Sequence, residues 1–192
     1  MTSRFSKGGK LIDRTKRLSF RFNGKNLFAY GGDTLASALL ANNQVLIGRS
    51  FKYHRPRGIV SSGIEEPNAL VSLGSGGNFE PNRSATTIEL FDGVEATSQN
   101  HLGSLEWDVG SVNNLISKIF PAGFYYKTFI YPRFAWKHIF EPTIRSAAGL
   151  GKAPKEEDSS SYDYFYAHLD VVITVSYTHL RAHETGRNVV CR

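Results

Sequence analysis

Residues 18–30, LSFRFNGKNLFAY, constrain the fold more than any other stretch of this chain. Leu18, Phe20 and Phe22 alternate with polar residues, so a strand here presents one apolar face, and Leu27 with Phe28 opens a second strand beyond Asn23-Gly24. Asn and Gly both tolerate positive φ, which a two-residue hairpin turn requires. The stretch predicts a β-hairpin. In the following GGDTLASALLANNQ, Leu35, Ala38, Leu39 and Leu40 recur near helical spacing, Asp33 or Thr34 can cap the start, and Asn42-Asn43 stop the run.

Val45-Leu46-Ile47 predicts a short apolar strand leading into a cationic loop. Asn68 to Leu73 and Thr86 to Phe91 predict two more strands, the second ending at Asp92-Gly93 with Val94 to Thr97 as its hairpin mate. The intervening SLGSGGNFEPNRS reads as turns. Hairpin, helix and further strands form an α+β order, that of a β-grasp sheet with one helix over one face. Beyond residue 100 the pattern becomes helical: SVNNLISKIF predicts a short helix ended by Pro121, and RFAWKHIFEPTIRSAAG a longer one that Pro142 interrupts or kinks. Aromatics crowd FPAGFYYKTFIYPRFAW, which suits either a covered contact surface or packing on the sheet. GKAPKEEDSSSYDYFY reads as a linker, and Leu169 to Ile173 as a buried strand.

With 192 residues, 41% of them hydrophobic, the chain can bury one moderate core, or a small domain with an appendage. No apolar run is long enough to span a bilayer and the first residues lack a secretory pattern, so a cytoplasmic setting without a membrane partner is expected. Cys191 is the only cysteine, which excludes internal disulfides, Cys-ligated zinc and an all-cysteine iron–sulfur cluster.

The formal charge is +6 and the excess gathers early, most densely in GRSFKYHRPRG at residues 48–58, an acid-free run holding Arg49, Lys52, His54, Arg55 and Arg57 beside Phe51 and Tyr53. Pro56 fixes one φ and Gly58 releases the chain, as in a shaped loop. A solvated turn is the plain reading of such charge. Two sharper ones are an anchor for a neighbouring subunit or domain, with guanidinium groups bonded to its carboxylates, and a clamp on a flavin or nucleotide phosphate. Nucleic-acid binding is disfavoured because the basic run is short and Glu65 and Glu66 follow it. No catalytic constellation emerges: Ser61 and Ser62 have no placed His partner, and His101 and His138 stand alone.

The segments GDTLASALLAN, GRSFKYHRPRGI, EEPNALV, TTIELFDG, SQN, PAGFYYKTF and RSAAGLG, in this order, resemble the N-terminal part of alpha subunits of heterotetrameric sarcosine oxidases, over about Gly9 to Ile173. The resemblance implies a fold related to 2Fe–2S ferredoxins. It also implies that IVSSGIEEPNALV stands where cluster-bearing relatives, including amine and opine dehydrogenase subunits, have a cysteine run, so the domain keeps the fold without the cluster. For the complete enzyme it implies oxidation of sarcosine to glycine, the cofactors FAD, FMN, NAD and tetrahydrofolate, and partner subunits beta, gamma and delta. The fragment itself is expected to hold no cofactor or metal and to lack activity alone. Candidate cofactor-binding or interface residues are Arg49, Lys52, Tyr53, His54, Arg55, Arg57, Tyr125, Tyr126 and Lys127.

The expected organisation is a cluster-free β-grasp domain at 1–100, a helical extension and linker at 101–165, and the first strand of a truncated dinucleotide-binding domain at 166–174. No GxGxxG follows that strand. The words SYTHLRAHETGRNVVCR resemble translated sequencing-adapter read-through, so 175–192 are expected to be an artefactual tail. His179 and His183 there lack a third ligand, and a metal site is not expected. The alternatives kept open are a 2Fe–2S electron-transfer subunit of a related amine or opine dehydrogenase, and a nucleotide or flavin-phosphate binding module.

Overall fold

The structure, a computed structural model, describes residues 3–115, 131–147, 151–161, 163, 164, 166 and 168. The chain divides into two compact units, Met1–Ser159 and Ser160–Arg192, and every element named here belongs to the first. Strands β1 (Asp13–Phe22) and β2 (Lys25–Gly31) form the predicted antiparallel hairpin, turning through Asn23 at φ 48° and Gly24 at φ 77°. Leu18, Phe20 and Phe22 are buried along one face of β1, while the alternate residues Arg17, Ser19 and Arg21 face outward. On β2, exposed Phe28 lies under the Arg17 guanidinium, 3.9 Å from its ring centre, so the cation shields an otherwise bare ring.

Helix α1 (Leu35–Ala41) follows. Thr34 is its N-cap, and its hydroxyl accepts from the Ser37 amide while the Ser37 hydroxyl accepts from the Thr34 amide, closing a capping box. Leu35, Ala38 and Leu39 enter the same core as Phe20, Phe22, Val71 and Ala96. Asn42 caps the far end, and Asn43 leaves it at φ 59°. Asp33, just before the cap, is fully buried: its Oδ2 accepts from Arg4 Nη2 at 2.6 Å and from the Tyr30 amide at 2.9 Å, and its Oδ1 from Ser37 Oγ at 2.7 Å and Arg4 Nη1 at 3.1 Å. The N-terminal arm is thereby pinned to the start of α1.

Strands β3 (Gly48–Arg49) and β4 (Pro56–Arg57) pair with each other, whereas β5 (Leu70–Leu73), β6 (Glu80–Ser84) and β7 (Val94–Ser98) join the main sheet. Its order is β2-β1-β7-β5-β6; β1 and β7 run parallel and the other neighbours antiparallel. A mixed sheet with one covering helix is the α+β β-grasp arrangement expected from sequence.

Four expectations are corrected. Val45–Ile47 is irregular, and pairing begins only at Gly48. The strand expected at Thr86 to Phe91 is instead a turn and an extended crossing of the helix start: Ile88 and Leu90 are buried, but the Ile88 carbonyl accepts from the Leu35 amide and the Leu90 amide donates to Asp33 O. The stretch read as turns supplies β6, and β7 pairs with β1 and β5 rather than in a hairpin with Thr86 to Phe91.

Further on, Val112–Leu115 forms α2, and the rest of SVNNLISKIF lies outside the described residues. The longer helical segment runs from α3 (Arg133–Ala135) through a π-helical turn, Trp136–Phe140, into α4 (Glu141–Ala147). The widened turn sits immediately before Pro142, whose ring cannot donate and would crowd the carbonyl four residues back. That is the expected interruption. The linker starts beside β6, where the Gly151 amide donates to Asn82 Oδ1 at 3.0 Å. The expected dinucleotide-domain strand and the tail with His179 and His183 fall outside the described residues, apart from the exposed Tyr166 and His168. Among the described residues no helix is long and apolar enough to cross a membrane.

Because Arg4 is also largely buried, replacing Asp33 by Ala removes the carboxylate from a buried ion pair. We expect Asp33→Ala to cost about 3–5 kcal/mol of unfolding free energy, read by denaturant titration.

Candidate functional site

The cationic loop is built by chain geometry before any charge is considered. β3 and β4 pair Gly48 with Arg57 and Arg49 with Pro56, and the Ile47 amide donates to the Arg57 carbonyl. Between them the Ser50 carbonyl accepts from the His54 amide at 2.8 Å, and the Ser50 amide donates to Arg55 O at 3.0 Å. His54 turns the corner at φ 51°, a left-handed conformation that few residues other than Gly, Asn, Asp and His adopt readily.

The loop is fastened to the segment 102–114. His54 is buried, and its Nδ1 donates to Asp108 Oδ2 at 2.6 Å; Asp108 Oδ1 accepts from the Leu102 and Gly110 amides, each at 2.9 Å. Gly110 must lack a side chain, since a Cβ there would stand 2.3 Å from the His54 ring. Arg49 turns the same way. Its Nε and Nη2 donate to Leu105 O at 2.9 and 2.8 Å, Nη2 also to Glu106 O at 3.0 Å, and Nη1 to His54 O at 3.1 Å. Arg55 Nε reaches Asn114 Oδ1 at 2.9 Å.

Of the residues singled out from sequence, His54 and the Arg49 guanidinium therefore turn inward as struts. Lys52 and Tyr53 are half-buried, and Arg55 and Arg57 are exposed. The Lys52 ammonium and the Arg55 guanidinium each lie 4.8 Å from the centre of the Tyr53 ring. Arg49, Arg57, Phe51 and Asn68 line a cleft of about 510 Å³ beside β3 and β4. Tyr125, Tyr126 and Lys127 lie outside the described residues. Sequence reasoning missed Asp108, Gly110 and Glu66, whose roles depend on neighbours brought in by folding. It also missed Trp107, which is 85% exposed beside this surface. Val109, Val112 and Leu115 continue that exposed apolar strip.

Glu66 follows the loop but turns inward, buried and bonded to the backbone of its own segment. Burial pushes its pKa up, yet hydrogen bonds from the amides of Ser61, Asn68 and Val60 and from the Ser61 hydroxyl outweigh this and hold it below the ordinary 4.5. Asp108 behaves alike: burial raises it, and the Leu102 amide, the His54 ring and the Gly110 amide bring it below 3.8.

Residues 15–101 match a family described as the 2Fe-2S iron-sulfur cluster binding domain. A sarcosine oxidase subunit alpha from Rhizobium meliloti (strain 1021) is 55% identical over 163 residues, covering 85% of this chain and 16% of its own length. Another, from Corynebacterium sp. (strain U-96), is 44% identical over 101 residues, or 51% of this chain and 10% of its own. The chain is a homologue of sarcosine oxidase subunit alpha. It spans only about a sixth of the first relative's length. The crystal structure of L-proline dehydrogenase from P. horikoshii aligns over 46% of this chain and 17% of its own, at 27% identity and a TM-score of 0.34.

A 2Fe–2S cluster is held by cysteine thiolates, and this chain has no cysteine anywhere in the matched region 15–101. Among the described residues no group of three or more His, Cys, Asp or Glu is placed to hold a metal ion. The donor set does not fit the cluster that the family description names.

Two outcomes are expected. Gly110→Ala overpacks the His54 ring, costing about 1–3 kcal/mol and raising proteolytic cleavage within residues 49–57. For Asp108, the unfolded chain takes up its proton at a higher pH than the folded one. Its stabilisation is therefore complete above 3.8 and is lost as pH falls through the lower folded value; Glu66 follows the same sign below 4.5. Asp108→Asn should flatten the acid limb of a stability-against-pH curve, measured by denaturant unfolding.

Proposed function

We propose that this chain is an assembly domain of a sarcosine oxidase alpha subunit, gripping a neighbouring subunit or domain of a flavin-dependent complex and carrying no chemistry alone. The observation behind this reading is the state of the loop's charges. Arg49 is bonded to carbonyl oxygens, Lys52 and Arg55 lie over the Tyr53 ring, and Arg55 meets an amide oxygen. The carbonyl, amide and ring partners of Arg49 and Arg55 are neutral, so these two guanidinium groups are held in shape while their positive charge persists. The Asp108 carboxylate that joins the loop is buried against His54.

Arginine and aromatic anchors beside apolar surface are the usual composition of a protein interface. Phe51, within the loop, is 57% exposed and Trp107 85%, and Val109, Val112 and Leu115 are exposed in the segment to which the loop is fastened. A partner of matching chemistry presents carboxylates opposite Arg55 and Arg57 and an apolar patch opposite Trp107. In this reading residues 1–100 are the β-grasp scaffold and 101–165 an extension that completes the contact surface. Oxidation of sarcosine to glycine, with FAD, FMN, NAD and tetrahydrofolate, belongs to the rest of the alpha subunit and to partners of the beta, gamma and delta type.

The test is co-expression of the alpha subunit containing this region with its partner subunits. Replacing Arg55 and Arg57 together by Ala should weaken association at least about tenfold, the scale of one or two lost charged interface contacts. Raising the ionic strength should weaken the parent complex more than the double variant. Unchanged co-purification of the double variant would count against the reading.

A further inference from the structure

Residues 58–69 join β4 to β5 without regular structure, yet their backbone is organised around a single side chain. Glu66 is 5% exposed. Its Oε2 accepts from the Val60 amide at 2.8 Å, the Ser61 amide at 2.6 Å and the Ser61 hydroxyl at 3.3 Å, and its Oε1 accepts from the Asn68 amide at 2.8 Å. Donors from both arms of the loop converge on one carboxylate. The outer bend is held separately: Thr86 Oγ1 donates to Gly63 O at 2.5 Å, and Gly63 turns at φ 86°.

Successive amides pointing into a concavity make an anion-binding nest, and nests of this kind surround many iron–sulfur sites. An iron–sulfur cluster with its thiolates is itself an anion that accepts backbone hydrogen bonds. The region 15–101 belongs by its match to a cluster-binding domain, but offers no thiolate, and the centre of this nest is filled by the chain's own carboxylate. We propose that Glu66 takes the place of the iron–sulfur cluster as the anion around which this loop folds, so that the domain keeps a cluster-type loop with no iron in it. Glu66 is a positioning residue in this scheme. Its role is independent of which partner the cationic loop meets.

The geometry makes a specific demand. The Val60, Ser61 and Asn68 amides share one acceptor, so they should lose protection together when the loop opens. A glutamine at 66 keeps the shape of the side chain but turns an amide NH2 toward N–H donors and removes the charge. Losing hydrogen bonds to a charged acceptor costs more than losing neutral ones.

Backbone hydrogen exchange on the 192-residue chain, followed by NMR, tests this. In the parent chain the three amides should show protection factors within about threefold of one another, reflecting one opening event. In Glu66→Gln all three should exchange at least about tenfold faster while β1 and β7 amides keep their protection, the loss of one charged acceptor being worth that factor or more. Unchanged protection at the three amides in the variant would overturn the proposal. So would independent opening of the three in the parent chain, a readout that survives even if the variant fails to fold. Uptake of iron and sulfide by the parent chain, giving a visible iron–sulfur absorption with these amides still protected, would overturn it as well.

Discussion

A carboxylate removed from water must be met by donors, or its burial costs several kcal/mol. Three such groups organise this domain where the sheet does not reach. Asp33 gathers the Arg4 guanidinium, the Tyr30 amide and the Ser37 hydroxyl at the entry to α1. Glu66 gathers both arms of residues 58–69, and Asp108 gathers the His54 ring and two amides of its own segment. Each draws donors from elements distant in sequence or from opposite sides of one loop. The irregular half of the fold thereby acquires one arrangement, which apolar burial alone would not specify.

The β1–β2 hairpin and α1 were legible because their determinants are local. Asn23-Gly24 supplies the two left-handed residues of the turn, and Thr34 with Ser37 supplies the cap within one helical turn. Alternation proved a sound guide to burial and a poor one to pairing. In TTIELF the apolar positions Ile88 and Leu90 do point into the core, but the backbone hydrogen-bonds the start of α1 instead of a strand. Conversely, EPNRS has no apolar alternation and still forms β6, because an edge position against β5 demands little of its side chains and tolerates Pro81.

The candidate surface divides in the same way. That residues 48–58 are basic and shaped is plain from composition, Pro56 and Gly58. Which cations face outward is not, because Arg49 and His54 are drawn inward by Leu105, Glu106 and Asp108, more than fifty residues away in sequence. Histidine in a basic run suggests an exposed ligand; here it is the strut that lets the other cations be exposed. Gly110 carries no chemical signal at all, yet the ring of His54 occupies the space its side chain would need.

Long cationic side chains ordinarily lose rotamer freedom when they bind, roughly 1–2 kcal/mol for each Lys or Arg fully ordered. In this loop much of that ordering precedes any partner. Tyr53 lies beneath Lys52 and Arg55, Asn114 steadies Arg55, and the backbone is fixed by Ser50 and by the His54–Asp108 pair. Because the Tyr53 ring and the Asn114 amide are neutral, Arg55 is ordered without cancelling its charge. An incoming carboxylate thus meets a field already in place, and less of its attraction is spent on arranging the loop. A solvated turn has no need of such bracing. The investment of one buried histidine–carboxylate hydrogen bond, one obligatory glycine and four guanidinium–carbonyl bonds in an acid-free loop makes physical sense when its shape is to be read by another surface.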